Sequence, residues 1–276
     1  MQLDSRAAAA GVRLFAHDVL DSTNAEGLRL ARTGERAPFW ITARSQTAGR
    51  GRRGRTWISE PGNLYASLLL YEPSPPECAA QLSFVAALAV HDAVGELIGL
   101  GAPLMLKWPN DLLYEGAKVA GILVEGEGSF VVVGIGVNCA HHPEHTRYPT
   151  THFQACGAQA PPEELFARLS DWMMRRLAQW EHGAGFHIIR TEWLARAFGL
   201  GREIRVATAE RDLPGVFESL DETGRLVLRR PDGQREAVTA GEVFPIAHRT
   251  AGNPPPPASI SETSRLEASP SKEAMP

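Results

Sequence analysis

The chain has 276 residues, 43% of them hydrophobic and 22% charged, which excludes disorder throughout and supplies a sizeable core. Its 28 basic and 32 acidic residues leave a formal charge of −4, so no global basic field calls for nucleic acid or an anionic membrane. The N-terminus lacks the apolar core of a signal peptide, and the longest charge-free apolar run, Cys78 to His91, is too short to span a bilayer.

Asp21-Ser22-Thr23-Asn24, followed by an Ala/Leu/Arg stretch to Thr33-Gly34, predicts a capped helix. Phe39 to Ala43 reads as a short strand, Gly49 to Arg55 as a loop, and Leu64 to Tyr71 as a buried strand. From about Pro76 to Gly99 the apolar residues recur at helical spacing and predict a long core helix. Strands follow at Leu104–Trp108, Val119–Glu125 and Phe130–Val137, the last two a hairpin through Glu127-Gly128, with a turn at Tyr114-Glu115-Gly116 before them. Pro161 to Trp180 and Phe186 to Ala197 read as two further helices. After Gly201 the period changes: short runs at Glu203–Thr208, Leu213–Leu220, Arg225–Leu228 and Ala237–Val238, parted by Asp/Gly turns, predict a small β-barrel module. From Thr250 the chain is Pro-rich and has no aromatic residue, so it reads as a disordered tail. The expected division is 1–200, 201–249 and 250–276.

Three stretches carry chemistry. In Gln46-Thr-Ala-Gly-Arg-Gly-Arg-Arg-Gly-Arg-Thr-Trp57 the glycines Gly49, Gly51 and Gly54 match GxGxxG, but Pro61-Gly62 stops any helix, which rules out a dinucleotide fingerprint. No GK[ST] closes the loop, so it is no P-loop either. What remains is an N–H-rich backbone carrying Arg50, Arg52, Arg53 and Arg55, suited to a polyphosphate or a carboxylate–phosphate pair. The alternative is a solvated basic turn or an arginine-rich nucleic-acid patch, against which stand the acidic total and the lack of aromatics inside the loop. In Lys107-Trp-Pro-Asn110-Asp111, Asn110 and Asp111 sit at a strand end, where they either present polar groups or cap their own backbone. Lys118 precedes an apolar strand, and Gly121 leaves room for a ligand or a neighbouring side chain. In Gly134-Ile-Gly136-Val-Asn138, alternating glycines mark a close approach, and Asn138 either reads a base edge or ends the strand.

Residue scarcity adds to this. Only three of the 28 basic residues are lysine, namely Lys107, Lys118 and Lys272, so the folded part keeps two lysines where arginine is otherwise the rule. That points to positions needing a compact ammonium, Lys118 above all. Cys78, Cys139 and Cys156 form no CxxC and cannot all pair, which favours a reducing, cytoplasmic setting. His141, His142, His145 and His152 lack a closed ligand spacing and read as a solvated loop with no metal.

Together these stretches, from about residue 14 to 248, resemble the biotin protein ligase family: Asp-Ser-Thr-Asn, the Gly/Arg loop with Trp57, Lys-Trp-Pro-Asn-Asp, Lys118-Val-Ala-Gly-Ile-Leu-Val-Glu and Gly-Ile-Gly-Val-Asn. The resemblance implies an α+β fold: a mixed-sheet catalytic domain with flanking helices, plus a small SH3-like C-terminal β-barrel. It implies that biotin and ATP, with Mg²⁺, give biotinyl-5′-adenylate. A lysine of a biotin carboxyl carrier domain, as in acetyl-CoA carboxylase, then takes the biotin. On this resemblance the catalytic set is Lys118, Arg52 and Asp111. Ser22, Thr23, Asn24, Gln46, Gly49, Arg50, Gly51, Arg52, Lys118 and Gly121 would hold biotin and the adenylate. Arg53, Arg55, Trp57, Asn110 and Asn138 would hold the nucleotide. Some members carry an N-terminal winged-helix DNA-binding domain, but the motifs here start near Ser22, so no DNA or membrane partner is expected, while a homodimer through a sheet edge is allowed. A lipoate-type ligase is the alternative enzyme, and a non-catalytic biotin- or nucleic-acid-binding module the alternative of another class.

Overall fold

In the computed structural model, which describes residues 1–246 apart from 36, 37, 72–74, 100, 145, 147 and 159, the chain opens with α1 (Ser5–Ala9), β1 (Arg13–Leu20) and α2 (Thr23–Arg32). Ser22 is extended and its hydroxyl accepts from the Ala25 amide, so the Asp-Ser-Thr-Asn signal is a capped helix start. Then come β2 (Phe39–Gln46), β3 (Leu64–Tyr71) and α3 (Leu82–Ile98), the helix led in by a 3-10 turn at Pro76–Gln81. Four strands follow, β4 (Leu104–Lys107), β5 (Asp111–Tyr114), β6 (Ala117–Glu127) and β7 (Phe130–Val137), then α4 (Pro162–Trp180) and α5 (Phe186–Leu194). The chain continues as β8 (Glu203–Ala207), β9 (Asp212–Leu220), β10 (Leu226–Arg229), β11 (Arg235–Val238) and β12 (Glu242–Pro245). Met1–Pro245 makes one compact unit, and the Pro-rich stretch from Thr250 lies outside the described residues.

Strands β1 to β7 form one mixed sheet in the order β1-β2-β3-β7-β6-β5-β4, parallel only between β1 and β2, which α2 connects. Side chains alternate across a strand, so register decides what each face holds. One face presents Trp40, Leu68, Val133, Ile135 and Ile122 to α3 and α4, with Trp40 edge-on to Phe166 at 5.5 Å. The opposite face begins with Phe39, Ile41, Leu69 and Val132 packed against Ala31 of α2. Two residues further along the same strands that apolar patch gives way to Ser67 and Gly134, then Tyr65 and Gly136. One side of the sheet is thus fully covered by helices, and the other is left half-open for a site.

By length and hydropathy Cys78–Ile98 would suit a membrane, yet Leu82, Phe84 to Val90, Ala93 and Val94 are all buried in the fold. Its apolarity belongs to a core helix largely buried in the fold. Arg176 of α4 clasps the helical layer: its guanidinium donates to Asp92 of α3 at 2.9 Å, to Glu192 of α5 at 2.8 Å and to Gln179 at 2.7 Å. The last five strands form a separate antiparallel sheet, order β11-β10-β9-β8-β12, whose apolar side chains Val206, Phe217 and Leu228 join the main core. This is the α+β architecture with an SH3-like module that the sequence implied. Three strands lie outside the predicted segments, β1, β5 and β12, and the predicted strand at Leu104–Trp108 stops at Lys107.

Burial alone would raise the Asp92 carboxyl, but hydrogen bonds from His91 and Arg176 outweigh it and hold it below the usual carboxylate range. A lowered native pKa contributes stability that is present above the unfolded value of about 4 and is lost as pH falls through the native one. Arg176→Ala is expected to cost about 3–5 kcal/mol at neutral pH, because it strands buried carboxylates. That deficit shrinks as Asp92 becomes protonated below about pH 4, which urea denaturation at pH 7 and pH 3.5 would read. A pH-independent deficit would mean that Arg176 acts through packing alone.

Candidate active site

Strand register lines up five residues across the open face: Lys107, Asp111, Gly121, Gly136 and Tyr65, on β4, β5, β6, β7 and β3. The two glycines in the middle of this row leave a trough, and the Trp57 ring fills it. A Cβ on Gly136 would lie 2.6 Å from Trp57 Cε2, and one on Gly121 would lie 3.0 Å from Trp57 Cζ3. Any side chain there would expel the indole. One strand-step away, a Cβ on Gly134 would lie 2.2 Å from Asn24 Oδ1, so that glycine admits the Asn24 amide. The alternating glycines therefore mark close approach by two side chains of the protein itself.

The end of the cleft near α2 is polar. Thr23 donates from both its amide (2.8 Å) and its hydroxyl (3.1 Å) to Gln46 Oε1, and Gln46 Nε2 donates to Ser59 Oγ at 2.8 Å. Ser67 Oγ lies 2.7 Å from Thr23 Oγ1 and donates to Asn24 Oδ1 at 2.6 Å, while Asn24 Nδ2 donates to Glu125 at 2.7 Å. Thr23, Asn24 and Ser67 are all buried, so this is a preformed row of donors and acceptors beneath a hollow.

The Gly/Arg loop roofs the cleft. It closes on itself through Gly51 N–H to Arg55 O (2.7 Å) and Trp57 N–H to Gly49 O (2.9 Å). Gly49 has no room for a side chain, since a Cβ would lie 2.3 Å from Trp57 O. Arg53 sits at φ 57°, the left-handed region that glycine favours. Three arginines tie the loop to the sheets: Arg50 to Glu125 at 2.9 Å, Arg52 to Asn110 Oδ1 at 3.3 Å, and Arg55 to Glu242 of β12 in an ion pair. Asn110 in turn donates to Ile122 O at 2.6 Å. Burial and the neighbouring Arg53 pull the Arg52 guanidinium below its ordinary range, although it stays charged.

Lys118 Nζ lies 2.6 Å from Asp111 Oδ1 in a buried ion pair, with the Trp57 ring centre 5.3 Å away. Burial works against the ammonium, but the Asp111 carboxylate outweighs it and holds Lys118 charged above its usual range. Lys107 is also buried, with the Tyr148 and Phe244 ring centres 5.0 and 5.4 Å from its Nζ. The cleft spans about 930 Å³ including its mouth.

Of the residues singled out in the sequence, Ser22, Thr23, Asn24, Gln46, Arg50, Gly51, Arg52, Arg53, Arg55, Trp57, Asn110, Asp111, Lys118 and Gly121 all line this cleft. Gly49 and Asn138 do not. Gly49 packs the base of the loop, while Asn138 donates its side-chain amide to Thr151 O at 3.0 Å and pins the following segment. Lys107, Tyr148, Glu242 and Ser67 complete the site without having been assigned to it; of these only Lys107 carried a sequence signal, as a scarce lysine and as the first residue of Lys-Trp-Pro-Asn-Asp. The histidines divide. His142 and His152 face each other with Nδ1 atoms 2.6 Å apart, and His141 contacts Asn63 and Pro61 O. Burial, then the neighbouring His142 and His141, pull His152 below its ordinary pKa, and the two half-buried rings pack against each other. His145 lies outside the described residues, among which no three His, Cys, Asp or Glu side chains cluster closely enough to hold a metal ion.

Residues 17–140 match the profile of the Biotin/lipoate A/B protein ligase family, and residues 199–244 match the Biotin protein ligase C terminal domain. A biotin--[acetyl-CoA-carboxylase] ligase of Paracoccus denitrificans is 46% identical over 235 residues, 81% of this chain and 97% of that relative. A ligase of the same name from Mycobacterium tuberculosis is 35% identical, covering 80% of this chain and 85% of its own length. Among solved structures, a biotin protein ligase of Aquifex aeolicus in complex with biotin and ATP superposes with a TM-score of 0.73. Its identity is 28%, over 84% of this chain and 97% of that one.

Gly136→Val should unseat Trp57 and loosen the loop, at a cost of about 1–3 kcal/mol for overpacking. Tryptic cleavage after Arg50, Arg52, Arg53 or Arg55 should then accelerate by roughly tenfold or more, since cleavage follows the open population. An unchanged rate would show that the indole is not what holds the roof down.

Proposed function

The chain belongs to the biotin/lipoate A/B protein ligase family, and we propose that the cleft beneath its Gly/Arg loop carries both half-reactions of a biotin ligase. It activates biotin with ATP to biotinyl-5′-adenylate and passes the biotinyl group to a lysine of a biotin carboxyl carrier domain. The observation that carries the placement is Lys118: a buried ammonium where the polar row at α2 meets the arginine roof.

The polar row of Thr23, Gln46 and Ser22 suits the ureido ring of biotin, a flat group with N–H donors and a carbonyl acceptor. A ligand bound there directs its acid tail past the Trp57 ring toward Lys118. In the first step a carboxylate oxygen attacks the α-phosphorus, and the bond to the β-phosphate oxygen breaks with its electron pair leaving on pyrophosphate. Two anions must be pressed together for this, and Lys118 neutralises both at once, a task for a point charge. The Gly51 amide and Arg52 clamp the adenylate from above, and the closed loop keeps water from the mixed anhydride. Arg53, Arg55, Trp57 and Asn110 flank the nucleotide.

In the second step the carrier lysine attacks the acyl carbon and expels AMP. Asp111 is the carboxylate within reach. Once Lys118 has turned to the phosphate, Asp111 is free to orient the incoming amine and take its proton. Mg²⁺ would arrive with the ATP phosphates, and Asp111 and Glu242, the cleft-lining carboxylates, would reach it only on release from Lys118 and Arg55. When bound, it supplies further neutralisation of the phosphate charge.

Purified protein is expected to catalyse ATP–pyrophosphate exchange with biotin and not with lipoate. Exchange with lipoate alone would reassign the acid, and biotin binding without exchange would leave a binding module. Lys118→Ala strands the buried Asp111 carboxylate and should lower the melting temperature, while exchange by the protein that remains folded falls by about 100-fold or more, the scale of one transition-state charge contact. Full activity in that variant would remove Lys118 from the mechanism. Arg52→Gly should still make the adenylate but release it, so free biotinyl-5′-AMP accumulates in the filtrate of a spin column. Wild-type retention would refute the clamp.

A further inference from the structure

One carboxylate outside the cleft wall holds two residues that belong to it. On β6, Ile122 and Val124 turn to the helices, so Gly121, Leu123 and Glu125 turn to the open face. Glu125 pairs across the strands with Val132, at the border of the apolar patch beneath α2, and does not itself line the cleft. Asn24 Nδ2 donates to Glu125 Oε2 at 2.7 Å, and Arg50 Nη2 donates to the same oxygen at 2.9 Å. Asn24 is part of the polar row and Arg50 of the Gly/Arg roof, and both line the cleft. A carboxylate accepts and does not donate, so it turns the N–H groups of both partners toward itself.

The Asn24 amide is held on every side. Its Nδ2 also donates to Leu123 O at 3.2 Å, its Oδ1 accepts from Ser67 at 2.6 Å, and the missing side chain of Gly134 gives it the space in which it lies. Ser67 Oγ is in turn 2.7 Å from Thr23 Oγ1, in the row that faces the hollow. A continuous hydrogen-bond path therefore runs from Thr23 through Ser67, Asn24 and Glu125 to Arg50, from the floor of the cleft to its roof. The backbone of Arg50 is bridged to Thr56 on the other limb of the loop, so fixing Arg50 bears on the loop as a whole. The arginine of the Arg50–Glu125 pair is 44% exposed, and such a pair adds little stability by itself. Its use lies in what it joins. Building on the functional reading above, we propose that Glu125 is a positioning residue that couples the biotin-facing row to the nucleotide-facing roof. A ligand against Thr23 steadies the row, and through Asn24 and Glu125 it steadies Arg50 where the nucleotide must bind. Linkage makes the effect reciprocal: whatever factor biotin adds to nucleotide affinity, the nucleotide adds to biotin affinity.

The test reads this coupling, which a purely structural role would not move. Biotin is titrated calorimetrically alone and with saturating α,β-methylene-ATP, whose P–C–P bridge cannot release pyrophosphate. In the wild-type protein the analogue should tighten biotin binding by at least roughly fivefold, the lower end of ordinary coupling. In Glu125→Leu, whose apolar chain suits the neighbouring patch, that ratio should fall below about twofold, while biotin affinity without nucleotide stays within about threefold of wild type. Glu125→Gln keeps an acceptor oxygen without the charge and should fall between the two, and it carries the test if the leucine variant does not fold. A wild-type ratio near one, an unreduced ratio in either variant, or a loss of biotin affinity without nucleotide as large as the loss of coupling would each overturn the assignment. ATP–pyrophosphate exchange by the wild-type protein with biotin tests the functional reading on its own, so a protein that exchanges without coupling loses only the role of Glu125.

Discussion

The site depends on one gap in the sheet, the cross-strand pair Gly121 and Gly136. Two side chains missing at opposed positions on neighbouring strands leave a hollow as wide as an indole, and Trp57 lies in it. Trp57 also ends the Gly/Arg loop, so seating the ring brings the arginines over the cleft and brings an aromatic face to Lys118. The same face of the sheet has an ordinary apolar patch further along the strands, four residues from Gly136 at Val132, where Phe39, Ile41, Leu69 and Val132 meet α2. A continued patch would have drawn a second helix onto that face. Glycine and serine at the next positions end the apolar packing and admit the Asn24 amide in its place.

Charge is arranged on the same principle of local imbalance. The chain carries a net −4, yet the cleft gathers six cations against three nearby carboxylates. The carboxylates hold Arg50, Arg55 and Lys118 in fixed positions, which reduces the reorganisation needed when an anionic substrate binds. Among the described residues Arg52 and Lys107 have no carboxylate at ion-pair distance, and burial works against both cations while Asp111 and Glu242 oppose it from further away.

What the sequence reveals of this site follows the range of the interactions. Motif residues that sit in short loops or at strand ends, such as Gln46, Arg52, Asp111 and Lys118, could be chosen because their chemistry is visible beside a glycine or a proline. Asn138 looked alike, at the end of a glycine-bearing strand, but its amide is taken by Thr151 and serves the chain's own turn. The same ambiguity hides Gly49, whose need is a 2.3 Å approach to a backbone oxygen and not to a ligand. β1 escaped because it is an edge strand with polar residues such as His17 and Asp18 and little buried surface. β5 escaped because four residues after a proline turn give no period to read. Glu242 could not be chosen at all: its partner Arg55 lies 187 residues away, and nothing local in Gly-Glu-Val-Phe indicates an ion pair.

That long-range pair gives the smaller sheet a part in the chemistry. β12 supplies both Glu242, which fixes the loop through Arg55, and Phe244, which forms one wall around Lys107. Each contact is modest alone, and an exposed ion pair is worth about 1 kcal/mol or less. Their positions matter more than their strengths. Arg55 cannot hold the roof over the trough unless β12 is paired to β8, and Lys107 cannot be enclosed by two rings unless Phe244 is in place. Val206 and Phe217 bury the same module in the main core, so its anchoring does not rely on the cleft contacts. A module anchored in the main core that touches the roof at one arginine and Lys107 at one ring fits the part of a fixed wall beside the loop.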